Sequence, residues 1–406
     1  MARSFIGIGQ CGSAILDAIF EEKNMFQIAE PIVINSDVND LKKLKNIGNQ
    51  YWLGISKEKG FIEGKTTGFG EHVTGGFGNY PENAEKIIKP NYEKLKEVLK
   101  NRIEKTTPKS KNENKPGIPF ALLCVGTGGG TGSGTAPFVA RAIKELYNIP
   151  IIVIAVIPAS GEGKEGMHLS WNSWRCIKKL SEHVNSFILV DNEKLSHKRS
   201  IESFFPKYNK YIARCLTDLI AGLMIEKIDL SKLNFGRELK DIDFMDMVST
   251  TSFQSNGKNN PGFAVIGRAS RQMRTLFYYM PIISKLPKGY KSIEPKEMLD
   301  EAIESLSMEI EKSELANARK NLVNLRVPNY YLQKEEYLDT SNIKKYMEQY
   351  SREGWRILGI SRTKRDLVSL TVLFTFLPDE LNRLLEIEET ARKYETEKGM
   401  ATYQEL

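Results

Sequence analysis

Residues 126–134 read Gly-Thr-Gly-Gly-Gly-Thr-Gly-Ser-Gly, a mixture of glycines and hydroxyl side chains that suits a phosphate-binding loop. Glycine lets the backbone approach a ligand closely and adopt positive φ angles, so that successive N–H groups can point at one anion. Thr127, Thr131 and Ser133 add hydroxyl groups. A helix-like segment follows from Thr135, and its N-terminal end would attract negative charge to the same place. The segment therefore predicts a site for phosphate.

Three common kinds of glycine-rich segment match this run less well. A P-loop needs a lysine after its last glycine, and none follows here; residues 60–66 come closest but are one residue short. A dinucleotide-binding fold carries its glycines after the first strand, with an acidic residue about 20 positions further on, whereas this run begins at residue 126. A flexible linker is disfavoured because strand-like residues 118–125 lie directly before the run.

A second set of reactive side chains is the acidic run at residues 241–246, Asp-Ile-Asp-Phe-Met-Asp. Carboxylates held near a phosphate can orient and polarise an attacking water molecule. From the residues alone, a surface loop whose acids cap a helix is the simpler interpretation. Both interpretations stay open at this point.

The composition is that of an ordinary soluble protein, with 41% hydrophobic and 27% charged residues among 406. The net charge of +7 comes from lysines scattered among acids, so we expect no direct binding of nucleic acid. Four cysteines and four histidines are widely separated, which predicts no metal site made by such residues alone. Apolar runs such as 149–159 and 370–377 are too short to span a bilayer, and we expect a cytoplasmic protein.

The elements that must position the glycines alternate between strand and helix. Strand patterns cover 4–8, 31–35, 118–125, 150–157 and 187–190, and helix patterns cover 84–104, 135–147 and 166–183. This alternation predicts an α/β fold with a parallel sheet and helices on both faces. Residues 48–80 are predicted to be loops, and the lysine-rich residues 102–117 a solvated loop. Phosphate sites in such sheets lie at the carboxyl ends of the strands, where both glycine-rich loops of this chain fall.

The second half of the chain changes character after one long helix from Phe205 to about residue 226. Strands are predicted at 262–269, 329–332, 355–361 and 367–376, with helices at 295–322 and 340–352, which indicates a second, α+β domain. The predicted organisation is 1–204, a nucleotide-binding domain; 205–227, the connecting helix; 228–259, a loop region; 260–378, the α+β domain; and 379–406, an amphipathic helix and tail.

The order of these motifs resembles the tubulin/FtsZ superfamily over about residues 1–270. The run at 126–134 resembles its signature Gly-Gly-Gly-Thr-Gly-Ser/Thr-Gly, and residues 7–12 resemble the Gly-Gln-Cys-Gly loop of tubulin. Residues 44–47, 157–163 and 191–192 look most like the archaeal CetZ group. TubZ proteins are the second resemblance, carried by residues 190–195 and 209–213. The resemblance implies a Rossmann-like GTPase domain that uses GTP/GDP with Mg²⁺.

The resemblance also implies a role for individual residues around the nucleotide. Phosphate contacts are expected from Gly9, Gln10, Cys11, Gly12, Ser13, Gly126, Gly128, Gly129, Gly130, Thr131, Gly132 and Ser133; contacts near the metal and γ-phosphate from Asp37, Gly78 and Asn79; a ribose contact from Glu162; and guanine contacts from Asn192, Phe205 and Asn209. Taken singly, Asn192 and Asn209 would more often be helix caps or surface polar groups, and the alternative for residues 75–79 is a simple turn. Ser13 departs from the asparagine common in the family at this position.

By the same resemblance, Asp243 and Asp246 would be catalytic acids that complete the active site of the next subunit in a head-to-tail filament. The role of Asp241 stays open. The implied partner is a second copy of the chain, with membranes reached only through an adaptor. The implied function is a filament-forming GTPase in cell shape or envelope organisation. The alternatives are a TubZ-like DNA-segregation filament, an FtsZ-like division protein, and a metabolic enzyme on a dinucleotide-binding fold.

Overall fold

The structure is a computed structural model that describes residues 3–106, 119–161, 163–195, 201–224, 243–255, 258–272, 293, 295–332, 341–363 and 366–398. The chain divides into two compact units. The first comprises Met1–Ala213, Thr251–Ala264 and Leu377–Leu406, and the second comprises Arg214–Thr250 and Val265–Phe376. The first unit is therefore assembled from three separate stretches of sequence.

The strands, in chain order, are β1 (Arg3–Ile8), β2 (Pro31–Asn35), β3 (Trp52–Ser56), β4 (Gly60–Glu63), β5 (Phe120–Gly126), β6 (Ile151–Ile157), β7 (Ser186–Asp191), β8 (Ser252–Ser255), β9 (Lys258–Gln272), β10 (Lys320–Pro328), β11 (Trp355–Thr363) and β12 (Leu367–Phe376). In the first unit the order is β7-β6-β5-β1-β2-β3-β4, parallel as far as β3, and the start of β9 pairs in parallel with β7. β6 is buried along its whole length, as expected for a parallel strand covered on both faces. The predicted α/β fold with a mainly parallel sheet is confirmed.

The helices are α1 (Gly9–Ile19), α2 (Val38–Lys42), α3 (Phe69–His72), α4 (Pro81–Ile88), α5 (Tyr92–Thr106), α6 (Gly130–Tyr147), α7 (Gly163–Ser181), α8 (Ile201–Met224), α9 (Phe244–Thr251), α10 (Pro295–Glu304), α11 (Lys312–Leu315), α12 (Ser341–Glu348) and α13 (Asn382–Glu397). In the part of the chain described, none of them has the length and apolar composition that crossing a bilayer would need. α1 and α6 follow β1 and β5 directly, so both begin at the carboxyl edge of the sheet.

Two predictions about the first unit are wrong. Residues 48–80 contain the antiparallel pair β3–β4 rather than loops alone. The strand β3 was missed because Gly54 interrupts its apolar pattern. A Cβ at Gly54 would lie 2.8 Å from the ring of Phe69, which packs against the backbone there. The helix predicted over 84–104 is two helices, because Pro90 cannot donate the backbone hydrogen bond that a continuous helix would need.

In the second unit, the prediction of one helix over 295–322 is wrong: these residues form α10, the short α11 and the start of β10, which begins at Lys320 and pairs with β11 and β12. The strand predicted at 329–332 is a 3₁₀ turn. Two buried asparagines obscured β10: Asn321 donates to the carbonyl of Met347 at 2.9 Å, and Asn324 donates to that of Asp218 at 2.9 Å. Buried polar side chains whose hydrogen-bond partners lie on another element interrupt the apolar pattern that identifies a buried strand.

A buried ion cluster lies in the second unit. Asp218 of α8 is 3% exposed, and its carboxylate accepts from Arg268 of β9 at 2.6 Å and from Arg326 of β10 at 2.7 Å. Burial alone would raise the pKa of Asp218, but the two guanidinium groups hold it below its usual value. The carboxylate therefore connects one helix to two strands by charge.

Replacing Asp218 by Asn should destabilise the protein, because both guanidinium groups would lose the charge that they contact. Removing one member of a buried ion pair costs about 3–5 kcal/mol. Urea denaturation followed by circular dichroism would measure the loss. Glu348→Gln is the matched control: its pair with Arg356 is exposed and should be worth less than about 1 kcal/mol. Equal, small effects of the two substitutions would contradict a stabilising role for the buried cluster.

Candidate functional site

A cleft of about 370 Å³ lies at the carboxyl ends of β1, β2 and β5 in the first unit. Its lining is polar backbone, hydroxyls and carboxylates, contributed by Ile8, Gly9, Gln10, Cys11, Asn35, Ser36, Asp37, Asp40, Gly75, Gly76, Phe77, Gly78, Asn79, Gly126, Gly129, Gly130, Thr131 and Gly132. The two glycine-rich segments, at 7–12 and 126–134, thus face one space. This is the edge of a parallel sheet at which ligands bind.

The N-terminus of α6 supplies backbone donors to the cleft. The first four amides of a helix have no partner within the helix. Of these, Gly130 donates outside the helix, to the carbonyl of Gly78 at 2.7 Å, whereas Ser133 makes the first i→i−4 bond of α6, to the carbonyl of Gly129 at 3.4 Å. The amides of Thr131 and Gly132 have no acceptor among the described residues, and both residues line the cleft. Since α1 also begins at the cleft, two helix N-termini attract negative charge to it.

Glycines allow the walls of the cleft to touch. A Cβ on Gly130 would lie 2.5 Å from the carbonyl oxygen of Gly78, and one on Gly132 would lie 2.5 Å from that of Gly126. Real Cβ atoms do not come so close to other atoms. Side chains at these two positions would push the loop at 75–79 and the end of β5 away from α6.

Carboxylates stand opposite these amides. Asp37 and Asp40 line the cleft, and one oxygen of Asp37 accepts from the amide of Asn39 at 2.8 Å, which caps α2. The hydroxyls of Ser36 and Thr131 are 2.6 Å apart, so the β2 loop touches α6 here. In the described residues, no group of three or more His, Cys, Asp or Glu side chains could hold a metal ion. A divalent cation would fit only if the ligand shared its coordination with Asp37, Asp40 and these hydroxyls.

The structure brings together many of the residues expected from the sequence to contact phosphate. Those that line the cleft are Gly9, Gln10, Cys11, Asp37, Gly78, Asn79, Gly126, Gly129, Gly130, Thr131 and Gly132. Gly12, Ser13, Gly128 and Ser133 lie behind this lining. The hydroxyl of Ser13 donates to the carbonyl of Gly9 at 2.5 Å, and that of Ser133 donates to the carbonyl of Gly129, so both hold the loops in shape.

The residues expected at the ribose and guanine are not among the lining residues. Glu162 lies outside the described residues. Asn192 begins a 3₁₀ turn directly after β7, and Phe205 and Asn209 lie half-buried near the start of α8. Their contacts with a nucleotide stay predictions.

The two acids expected to be catalytic lie in the second unit, where they cap α9. One oxygen of Asp243 accepts from the amides of Met245 at 2.7 Å and Asp246 at 3.2 Å, and Asp246 accepts from the amide of Asp243 at 2.8 Å. Helix capping, the simpler interpretation of the sequence, is thus present. It also fixes both carboxylates, which remain partly exposed. Asp241 lies outside the described residues.

Sequence reasoning missed Asn172 of α7, which holds two loops of the cleft together. Its buried amide donates to the carbonyl of Asn79 at 2.8 Å and to that of Gly128 at 2.9 Å. A single asparagine inside a helix carries no pattern that would distinguish it from a surface residue. The contacts span 93 and 44 residues of sequence, so only the fold reveals them.

Two pKa values bear on the chemistry near the cleft. Burial raises the pKa of Cys11 to about 12, so its thiol stays protonated at neutral pH and is a poor nucleophile. Burial raises the pKa of Asp191, at the end of β7, to about 6, although Arg383 at 3.0 Å lowers it part of the way. At neutral pH Asp191 is therefore a buried carboxylate paired with an arginine.

Comparison with known proteins agrees with this geometry. Residues 4–200 match the model of the Tubulin/FtsZ family, GTPase domain. "Tubulin-like protein CetZ" of Pyrococcus horikoshii is 30% identical over 239 residues, which is 58% of each chain. "Cell division protein FtsZ" of Aquifex aeolicus is 24% identical over 245 residues, 60% of this chain and 55% of that one. The matched region thus spans less than two thirds of these curated relatives.

Solved structures show the same fold. CetZ from Methanosaeta thermophila superposes with a TM-score of 0.66 at 22% identity, covering 98% of this chain and 92% of that one. A protofilament of CetZ2 from Haloferax volcanii with GTPγS gives a TM-score of 0.66 at 18% identity, covering 98% and 100%. These identities establish likeness of fold.

The raised pKa of Asp191 predicts a pH-dependent difference between wild type and Asp191→Asn. The folded protein holds the proton of Asp191 up to about pH 6, whereas the unfolded chain releases it near pH 3.9. The contribution of this group to stability is full below about pH 3.9 and is lost as pH rises through about 6. Asn does not titrate, so the stability of the variant relative to wild type should rise between pH 5 and 7 and then level off.

Urea denaturation of both proteins at pH 5, 6, 7 and 8 would measure this difference, and the other titrating groups cancel in the comparison. A constant difference over this range, or one that falls with pH, would contradict the raised pKa.

Proposed function

Residues 4–200 belong to the GTPase domain of the tubulin/FtsZ family, and from that premise we propose that this chain binds and hydrolyses GTP and assembles head to tail into protofilaments. Each active site would be completed by the next copy of the chain. We further propose a role in cell shape or envelope organisation, in the cytoplasm, as for a protein of the CetZ kind. Membranes would be reached only through an adaptor, and nucleic acid would not be bound directly.

The observation that carries the proposal is the charge pattern of the cleft. Two helices begin at one space, which Thr131, Gly132, Asp37 and Asp40 all line. One oxygen of Asp40 also pairs with Lys43 at 3.0 Å. A bare anion would suit the amides and not the carboxylates. A triphosphate that carries a divalent cation suits both, because the cation can contact the carboxylates while the phosphate oxygens accept from the amides.

Mg²⁺, when bound, would neutralise charge on the β- and γ-phosphates. The residues of this chain that would hold it are Asp37 and Asp40, with the hydroxyls of Ser36 and Thr131 close by. GTP itself would lie with its phosphates between the starts of α1 and α6.

The acids of the second unit support a shared active site. Asp243 and Asp246 are fixed by their own capping hydrogen bonds and remain partly exposed. Between them lies Met245, a large apolar side chain that is 39% exposed. In a head-to-tail filament, these partly exposed acids would meet the cleft of the next copy. In that contact the carboxylates would orient water for attack on the γ-phosphate.

Gly129→Ala tests the phosphate site. A Cβ at Gly129 meets no protein atom within 4 Å, and the φ of −85° is ordinary for alanine, so the fold should be unchanged. Because Gly129 lines the cleft, the added methyl group should weaken GTP binding, which we expect by about tenfold, equal to 1.4 kcal/mol. Calorimetric titration with GTP and Mg²⁺ would measure the effect.

The matched control is Gly70→Ala, an exposed glycine whose added Cβ would come no closer than 3.7 Å to Val38. Gly70 does not line the cleft. If the two variants bound GTP equally well, the glycine loop would not be the phosphate site.

Asp246→Ala tests the shared active site. Loss of a positioned acid–base group should lower the GTPase rate by roughly 10²–10⁴-fold, while GTP binding stays intact because the cleft is untouched. Wild-type activity per chain should rise steeply with protein concentration. Phosphate release and light scattering over a concentration series would measure both.

Mixing two inactive variants makes this test sharper. Gly129→Leu blocks the cleft and keeps the acids, whereas Asp246→Ala keeps the cleft and lacks one acid. In a head-to-tail contact an intact cleft can meet intact acids, so an equal mixture should recover about a quarter of the wild-type rate. A mixture as inactive as its components, or a wild-type rate per chain independent of concentration, would refute the shared site.

A further inference from the structure

One arginine of α13 connects that helix to two loops of the first unit. The guanidinium of Arg383 donates to the carboxylate of Asp191 at 3.0 Å, to the carbonyl of Pro158 at 2.7 Å and to the hydroxyl of Ser160 at 2.6 Å. It also donates to Glu386 on its own helix at 2.7 Å. A single side chain thus joins the loop after β6, the end of β7 and α13.

The network around Arg383 is closed by further contacts. The hydroxyl of Ser160 donates to Glu386 at 2.9 Å, and the backbone amide of Ser160 donates to Glu193 at 2.5 Å. The side chains of Arg383 and Asp191 are 10% and 3% exposed. A charge so deeply buried is tolerated only with partners of good geometry, and the planar fork of arginine can contact several acceptors at once. The geometry therefore fixes the two loops relative to α13.

These two loops lie beside the phosphate cleft. β6 and β7 follow β5 in the parallel sheet, so the loops that leave their carboxyl ends adjoin the glycine loop that leaves β5. The contact is direct, since a Cβ on Gly128 would lie 3.2 Å from the Cβ of Pro158. A nucleotide whose phosphates lie between α1 and α6 can extend its nucleoside along the strand ends in this direction. The loop after β7 also begins with Asn192.

We propose that Arg383 is a positioning residue for the nucleoside half of the bound nucleotide: by holding the loops at Pro158–Ser160 and Asp191–Glu193, it sets the affinity for the purine nucleoside without touching the phosphates. This assignment rests on the proposed function, because it requires that the cleft binds GTP. It gives α13, which otherwise packs along α7, a part in ligand binding.

The aromatic packing of α13 explains why removing Arg383 would leave the helix in place. Trp171 of α7 donates to Glu395 of α13 at 3.1 Å. The ring of Tyr394 stacks on that of His168 with centroids 5.3 Å apart and lies 5.8 Å from Trp171. These contacts lie three turns along α13 from Arg383, so the helix keeps most of its packing in an Arg383 variant.

The experiment compares two ligands of the full-length chain by calorimetric titration in the presence of Mg²⁺. GTP carries both halves of the ligand, whereas inorganic tripolyphosphate carries the phosphates alone. Arg383→Ala should weaken GTP binding about tenfold or more and leave tripolyphosphate binding within about twofold of wild type. The GTP affinity of Arg383→Lys should lie between those of wild type and Arg383→Ala, since lysine keeps the charge but cannot reach all the acceptors.

Arg392→Ala is the matched control, because Arg392 lies on the same helix in an i,i+4 pair with Glu388 that is half exposed. It should bind both ligands as wild type does. Equal losses of GTP and tripolyphosphate in Arg383→Ala would show general loosening of the unit and overturn the assignment. GTP binding by Arg383→Ala equal to that of wild type would also overturn the assignment. A wild-type chain that binds tripolyphosphate and no guanine nucleotide would instead refute the proposed function, and this assignment with it.

Discussion

The geometry of the cleft depends on one close approach between two backbones. The amide of Gly130, at the start of α6, donates to the carbonyl of Gly78 at 2.7 Å, and no side chain could be inserted between them. This contact uses one orphan amide of the helix to hold the loop at 75–79, and the next two residues, Thr131 and Gly132, line the cleft. One hydrogen bond therefore shapes the wall of the cleft and selects which donors remain for a ligand.

The same space is bounded by charges of opposite sign. The helix N-termini favour an anion, while Asp37 and Asp40 repel one. A simple anion in this cleft would meet the charge of Asp37, and a free cation would meet the positive ends of the helices. A ligand that carries both charges can interact favourably with the whole lining of the cleft. The contact between the hydroxyls of Ser36 and Thr131 keeps the two halves at a fixed separation.

The sequence predicted what is encoded locally. The glycine-rich run, the strand before it and the helix after it are adjacent in the chain, so spacing alone located the glycine-rich loop of the cleft and the parallel sheet. The helix begins at Gly130 rather than at the expected Thr135. Glycine has low helix propensity, so the glycines at its start concealed the first turn. They are nevertheless needed there, because the backbones touch. Asn172 and Arg383 could not be predicted, since their partners outside their own helices lie 44–225 residues away and neither stands in a motif. β10 was hidden by asparagines that only the folded chain satisfies.

The discontinuity of the first unit has a consequence for biosynthesis. The ion pair between Asp191 and Arg383 spans 192 residues, and the chain between them includes all of the second unit. On a ribosome, the sheet and its glycine loops emerge first, and α13 emerges only after the second unit has been made. Until then the two loops that Arg383 holds lack their anchor. Completion of the first unit therefore waits until α13 has been synthesised, so the loops that Arg383 joins cannot reach their final arrangement before the second unit has been made.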